Sequence, residues 1–210
     1  MNTFGGIVEG KTDFPIINSA LIGYFNNKKI DINWINPQNF KAVSNYDKVF
    51  KSCKPEKLKR AFLANQYIII HIDTDVSENF GISHCEDDIP ITPEQLIDKV
   101  VDKFKQEMGE IFYNQYEHRI IFAIAVHSIE CWLLPLLATE DKSSETENCC
   151  QILEKTVTGF RPKNYGYYQE ITKRYRDHED FLALYTKNPS LKIFIDELKR
   201  RNITIAEEPE

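Results

Sequence analysis

Two aspartates separated by one residue, Asp73 and Asp75, directly follow a continuous, mostly β-branched apolar run over residues 67–72. Two carboxylates at this spacing can both reach one divalent cation if the chain turns where the strand ends. Mg²⁺ prefers oxygen ligands and usually takes one or two carboxylates together with substrate phosphates. A third acid from a neighbouring strand would complete an acidic pocket, whose like charges a cation would stabilise. The pair predicts a metal site, although ordinary loops also contain this spacing.

The order of strand and helix patterns brings a third acid to the same place. Apolar strand patterns over residues 3–8, 30–35, 67–72 and 120–126 are separated by helical patterns, and further helices are predicted over residues 151–201. Strands alternating with helices predict a parallel sheet with right-handed crossovers. Ligands of such sheets bind beyond the carboxyl ends of the strands. We therefore expect Glu9, which follows the first strand, and residues 127–130, which follow the fourth, to lie near Asp73 and Asp75.

Between these strands, two segments have clear local signals. Residues 76–91 are polar and acidic and predict an exposed loop. Thr92, Pro93 and Gln95 predict the start of a helix, with a capping box and proline at its first position. His71 lies inside the third strand, where a hydrogen-bonded core histidine is the expectation, whereas His127 lies nearer the predicted site.

Composition limits the class of protein. The chain has 210 residues, of which 42% are hydrophobic and 12% aromatic, which predicts one globular α/β domain over residues 1–138 with a helical extension over residues 151–203 packed on it. No apolar run approaches the ~20 residues of a membrane helix, and the N-terminus lacks signal-peptide features. Five cysteines without a C-x-x-C pair predict reduced thiols, with neither a disulfide framework nor a zinc site. We therefore expect a cytoplasmic protein.

Charge is distributed unevenly along the chain. The net charge of −6 argues against a general nucleic-acid coat. Residues 61–98 contain eight acids and no Lys or Arg, and basic segments flank them on both sides. This pattern predicts a metal site beside a phosphate-binding surface, although solvated helix faces would give the same pattern. The candidate phosphate-binding residues are Lys11, at the start of the first helix, and Lys57, Lys59, Arg60, Arg161 and Lys163 in the basic segments.

Two motifs carry a resemblance to a known family. A Glu-Gly pair at Glu9 closes the first strand, and the D-x-D at Asp73 closes the third, 64 residues later. Their order and spacing resemble the Toprim domain shared by primases, topoisomerases and the overcoming-lysogenization-defect nucleases. Residues 124–134, with an E-x-W-L segment that begins at Glu130, are similar to small stand-alone Toprim-like proteins. The resemblance implies a Toprim-like, Rossmann-like fold: a mostly parallel four-stranded sheet flanked by helices, with a C-terminal helical extension.

The resemblance also implies roles for the matching residues. Glu9 would be a general acid/base or a metal ligand, Asp73 and Asp75 would bind Mg²⁺ (or Mn²⁺ in its place), and Glu130 would be a further ligand. Ser77 stands where topoisomerase-like members often have a third acid, which argues against a topoisomerase.

The function implied is a metal-dependent nuclease acting on DNA or RNA, in prokaryotic anti-phage defence, that works with a separately encoded ATPase partner. Two alternatives stay open. One is a catalytically quiet Toprim-fold module that binds a protein partner. The other is a primase-like nucleotidyl transferase.

Overall fold

A computed structural model of the chain describes residues 2–39, 41–42, 44–203 and 205. Its main sheet contains β1 (Asn2–Ile7), β2 (Ile32–Asn36), β3 (Asn65–Asp73) and β6 (Ile120–Ala125), and a short antiparallel hairpin contains β4 (Cys85–Glu86) and β5 (Ile89–Pro90). The main sheet has the order β2-β1-β3-β6, and all its neighbouring strands are parallel. The predicted α/β fold with a four-stranded sheet flanked by helices is confirmed at this level.

Helices cover both faces of the sheet. They are α1 (Asp13–Phe25), α2 (Tyr46–Ser52), α3 (Pro55–Ala64), α4 (Pro93–Met108), α5 (Glu110–Tyr116), α6 (Leu134–Leu137), α7 (Cys149–Thr156), α8 (Tyr165–Ile171), α9 (His178–Leu184) and α10 (Pro189–Arg200). The predicted capping box begins α4: the Thr92 hydroxyl accepts from the Gln95 N–H, and the Gln95 side chain accepts from the Thr92 N–H.

The alternation of β3 divides the core into two layers. Ile69 packs in a cluster with α1 and the C-terminal helices, whereas Ile68, Ile70 and Ile72 pack in a second cluster with α2 to α5. Because β3 is buried on both faces, its sequence is continuously apolar rather than alternating. The predicted helical extension therefore shares a core with the sheet. Where the extension packs against α1, a Cβ on Gly23 would lie 2.0 Å from the Tyr175 carbonyl oxygen, so only glycine fits there.

The connections that follow the two central strands, β1 and β3, run to opposite edges of the sheet. After β1 the chain passes through α1 to β2, and after β3 it passes through α4 to β6 on the other edge of the sheet. α1 and α4 also pack on opposite faces. Neighbouring strands whose connections diverge in this way leave a crevice at their carboxyl ends, which is where ligands of open α/β sheets bind.

The segment between β3 and α4 differs from its prediction as an exposed loop. Ser77 is buried within a 3-10 helix (Ser77–Phe80), and Ile82 is also buried. The Ser77 hydroxyl donates to the Ile82 carbonyl at 2.8 Å, and the hairpin of β4 and β5 follows. A few buried side chains therefore anchor a segment whose composition is polar.

The expectation of reduced thiols throughout is wrong for one pair. Cys131 and Cys149 form a disulfide, with their Cα atoms 5.0 Å apart. The two residues are 18 apart in the sequence and meet because α7 packs against the 3-10 helix that contains Cys131 (Ile129–Leu133). Cys53, Cys85 and Cys150 are free thiols.

The helices in the described ranges are all too short or too polar to cross a bilayer.

Candidate functional site

A cavity of about 620 Å³ lies at the carboxyl ends of β1 and β3. Five carboxyl side chains and one ammonium group line it: Glu9, Asp13, Asp73, Asp75, Glu130 and Lys163. The four acids predicted as metal ligands are therefore brought together, and one predicted phosphate-binding lysine lies with them. Asp13 is an acid that sequence reasoning missed.

The turn at residues 73–75 explains how both aspartates face the cavity. Thr74 between them is buried. Its N–H lies within hydrogen-bonding distance of the Ala125 and His127 carbonyls, at 3.1 and 2.9 Å, and its hydroxyl accepts from the His127 N–H at 2.7 Å. The Asp75 N–H also donates to the His127 carbonyl, at 2.9 Å. Thr74 thereby joins the end of β3 to the segment after β6, and its two neighbours line the cavity.

Glu9 joins the end of β1 to the end of β3. Its Oε2 accepts from the Asp73 N–H at 3.3 Å. Burial raises the pKa of Glu9, and the nearby Asp75 raises it further, although the Asp73 N–H and His71 oppose the shift. Burial also raises the pKa of Asp75, against the effect of Lys163. Both carboxyls therefore hold their protons more tightly than ordinary surface acids do.

A buried imidazole forms the floor of the acidic cluster. His71 is fully buried, and its Nδ1 lies 2.6 Å from the Ala123 carbonyl, which requires this nitrogen to carry a hydrogen. Its Nε2 lies 3.3 Å from Asp73 Oδ1 and 3.5 Å from Asp13 Oδ2. Nε2 faces these carboxylates without a hydrogen bond of good geometry among the described residues. The histidine expected to be a core residue is one, but it also contacts two acids of the cavity.

The protonation of this cluster follows from its burial. Burial disfavours the charged imidazole, but the contacts with Asp73 and Asp13 outweigh it and raise the pKa of His71 to about 9. Burial raises the pKa of Asp73 to about 8 despite His71, and that of Asp13 to about 6. The cluster therefore tends to keep protons on its carboxyls, and positive charge on His71 offsets the negative charge that remains, which is the arrangement that a buried site favours.

Backbone donors fix the orientation of Asp13 and Asp73. Asp73 Oδ1 accepts from the Ile129 N–H at 2.8 Å. Asp13 Oδ2 accepts from the Gly10 N–H at 2.6 Å, in the turn that leads from β1 into α1. Asp13 was missed because its position in the first turn of a helix is also where an ordinary capping acid occurs.

Glu130 is held by the helical extension. It is buried in the 3-10 helix Ile129–Leu133 and is only 6% exposed. Its Oε1 accepts from the Tyr168 hydroxyl at 2.9 Å, and that hydroxyl accepts from the Lys163 N–H at 3.1 Å. Burial raises the pKa of Tyr168, and the adjacent Glu130 raises it further, so the hydroxyl keeps its proton. No local sequence signal pairs Tyr168 with Glu130, because the two residues are 38 apart in the chain.

The other predicted phosphate-binding residues are not among those that line the cavity. Lys11 is half-buried in the turn before α1, between the lining residues Gly10 and Thr12. Arg161 is exposed, two residues before Lys163. The basic patch of α3, consisting of Lys57, Lys59 and Arg60, is exposed, and Lys59 borders a separate groove with residues 108–112.

The groove beside Lys59 lies toward the amino ends of the strands, whereas the acidic cavity lies at their carboxyl ends. The groove is lined by the C-terminal end of α4 and by α5, and the chain then enters β6 at Ile120, which pairs with Ile68 near the start of β3. The structure therefore does not bring the basic patch of α3 to the acids.

The acids fit a hard divalent cation by their chemistry. Several carboxyl groups with raised pKa values supply the oxygen ligands that Mg²⁺ and Mn²⁺ prefer. In the side-chain positions of the described residues, no group of three or more His, Cys, Asp or Glu residues is placed to hold an ion. Binding would therefore require the carboxylates to rotate toward one another, with loss of protons from the cluster.

Comparison with protein-family models, with curated proteins and with solved structures found no match to this chain. Its function is accordingly argued from the site.

Proposed function

We propose that this chain is a Mg²⁺-dependent phosphodiesterase that cleaves nucleic acid, and that its sheet is a Toprim-like variant of the α/β fold. The observation that carries the proposal is the convergence of Glu9, Asp73, Asp75 and Glu130 in one cavity at the crevice between β1 and β3. Three separate strand ends contribute these acids, so a chance surface cluster is a poor explanation. The anti-phage context and an ATPase partner rest on the Toprim resemblance.

In this proposal the residues of the cavity would have different roles. Glu9, Asp73, Asp75 and Glu130 would hold the cation through carboxylate oxygens. A bound Mg²⁺ would supply charge neutralisation at the scissile phosphate and a more acidic water. Glu9, whose pKa burial raises, would alternatively act as the general acid or base instead of a ligand. Lys163, on the wall of the cavity, would contact a phosphate oxygen.

A second candidate function is favoured by one observation. His71, whose pKa these contacts raise, places positive charge beside Asp73 and Asp13 and offsets their negative charge without a cation. A protein that had lost metal binding but kept its fold for a protein partner would be stabilised by the same contacts. The catalytically quiet interaction module is therefore the alternative to be tested.

A cleavage assay separates the two functions. The purified chain is incubated with single-stranded DNA, duplex DNA and RNA, each with Mg²⁺, Mn²⁺ or a chelator. The phosphodiesterase requires cleavage that the chelator abolishes. Asp73→Asn and Asp75→Asn should each lose at least ~10²-fold in rate, which is the scale for removal of an electrostatic stabiliser.

The matched control is Asp102→Asn, because Asp102 is an exposed acid on α4 whose side chain is 63% exposed. It should cleave like the wild type. Cleavage by Asp73→Asn at the wild-type rate would refute the proposal. A wild-type protein that binds metal yet cleaves none of the substrates would support the interaction module.

A further inference from the structure

Two buried tyrosines of the helical extension donate their hydroxyls to the same 3-10 helix, Ile129–Leu133. The Tyr168 hydroxyl donates to Glu130 Oε1, and the Tyr175 hydroxyl donates to the Trp132 carbonyl. Both rings are fully buried. The two hydrogen bonds differ in one respect that matters here: the first ends on a carboxylate that lines the acidic cavity, and the second ends on the backbone.

The Tyr168 hydroxyl has a second partner, the backbone of Lys163, which also lines the cavity. The hydroxyl accepts from the Lys163 N–H at 3.1 Å. Lys163 has a φ of 55°, in the left-handed region that residues other than glycine seldom adopt. The side chain of this residue lines the cavity and is close enough to Asp75 to lower the pKa of that acid, against the larger effect of burial. The Tyr168 hydroxyl oxygen therefore connects the Glu130 side chain with the backbone of Lys163.

We propose that Tyr168 is a positioning residue of the acidic cavity, which sets Glu130 and Lys163 for a divalent cation bound together with a phosphate group. Its hydroxyl holds Glu130 Oε1, so that Oε2 is directed to the cation. Through the Lys163 N–H it also fixes the turn that presents the ammonium group to the phosphate. This inference rests on the proposed function and deepens it, because it makes the helical extension part of the active site.

The alternative is that Tyr168 only stabilises the packing of α8. Tyr175 provides the comparison, since Tyr175→Phe and Tyr168→Phe each remove one buried hydroxyl from the same extension and keep the ring. A purely structural role predicts the same consequences for both variants. A positioning role predicts similar losses of thermal stability but different metal requirements.

The experiment measures Mn²⁺ binding by the full chain from the electron paramagnetic resonance signal of free Mn²⁺, and the Mg²⁺ concentration for half-maximal cleavage. Loss of a group that orients a metal ligand typically weakens metal affinity by about 10- to 100-fold. We expect that loss in Tyr168→Phe and little change in Tyr175→Phe. Excess metal should restore much of the turnover of Tyr168→Phe, while its KM for nucleic acid stays raised because the Lys163 turn is loosened.

A double-mutant cycle with Glu130→Gln tests the connection directly. Near-UV circular dichroism verifies that each variant is folded. If Tyr168 acts through Glu130, the effects of the two substitutions on Mn²⁺ affinity should not add. Equal Mn²⁺ affinities for wild type, Tyr168→Phe and Tyr175→Phe, or fully additive effects in the cycle, would overturn the positioning role and leave the proposed function intact. A wild type that binds no Mn²⁺ would overturn both.

Discussion

The raised pKa of Asp73 predicts that metal binding becomes tighter as pH rises from 6 to 8. A carboxyl must lose its proton before it can ligate a cation. Burial raises the pKa of Asp73 to about 8, whereas that of Asp13 is raised only to about 6. Between these two values, binding of one cation should therefore displace about one proton, from Asp73.

The magnitude follows from that single proton. Each pH unit changes the apparent Kd roughly tenfold, which is equivalent to about 1.36 kcal/mol. From pH 6 to pH 8 the Kd for Mg²⁺ should fall by roughly 100-fold and then level off. At a fixed metal concentration that exceeds Kd throughout, the free energy that bound metal adds to the stability of the folded state should grow by about 2.7 kcal/mol over the same range, relative to the metal-free protein at each pH.

The metal-free protein should show the opposite trend. Because the folded pKa values of Asp13, Asp73 and His71 are all raised, the folded state holds protons that the unfolded state has lost. Its stability should therefore fall as pH rises through this range. Bound metal holds Asp73 as a carboxylate, as it is in the unfolded chain at this pH, so addition of metal should remove the contribution of Asp73 and make the fall in stability with pH shallower. A general effect of pH on the fold would not depend on metal.

Calorimetric titrations in buffers of different ionisation enthalpy measure both quantities. At pH 7 they should report release of about one proton per cation, as the raised pKa of Asp73 requires. Asp102→Asn should behave like the wild type, and Asp73→Asn should lose the pH dependence together with most of the affinity. A Kd that is constant between pH 6 and 8, with no proton released, would show that Asp73 is not a ligand of the kind we describe.

Three further predictions test the surroundings of the cavity. His71→Gln should destabilise the metal-free protein by about 3–5 kcal/mol, since it removes one partner of a buried charged pair. The control is His118→Gln, a change at an exposed histidine, and metal should recover more stability in His71→Gln than in this control. Equal losses of stability for the two variants in thermal melts would contradict the role of His71 as counter-ion. Lys163→Gln should weaken nucleic-acid binding in filter-binding assays and leave Mn²⁺ affinity nearly unchanged, and the reverse would place Lys163 outside the phosphate site. Replacement of the basic patch of α3 by glutamine should reduce the slope of log affinity against log salt by roughly 0.7–0.9 for each phosphate that the variant no longer binds, whereas an unchanged slope would identify those residues as solvated surface.

Several elements followed from local sequence signals. The apolar run of β3, the helix start at Thr92 and the separation of the strands by helices were all predicted, because burial on both faces, capping and helical periodicity depend on residues close in the chain. The D-x-D was predicted to lie at a strand end, and β3 does end at Asp73. The charge pattern was less informative, since the basic residues on α3 lie away from the acids and Lys163 lies beside them.

The amino-acid sequence by itself determined the β/α alternation and thereby which acids could meet at the carboxyl edge of a parallel sheet. Only the tertiary structure decided their environment. His71 faces Asp13 because β3 packs against the start of α1, and Tyr168 reaches Glu130 across 38 residues of chain. Cys131 and Cys149 are joined for the same reason, since α7 packs on the 3-10 helix beside the cavity. Local propensity depends on near neighbours, whereas the charge state and the orientation of a buried group depend on side chains that arrive from distant elements and exclude water from it.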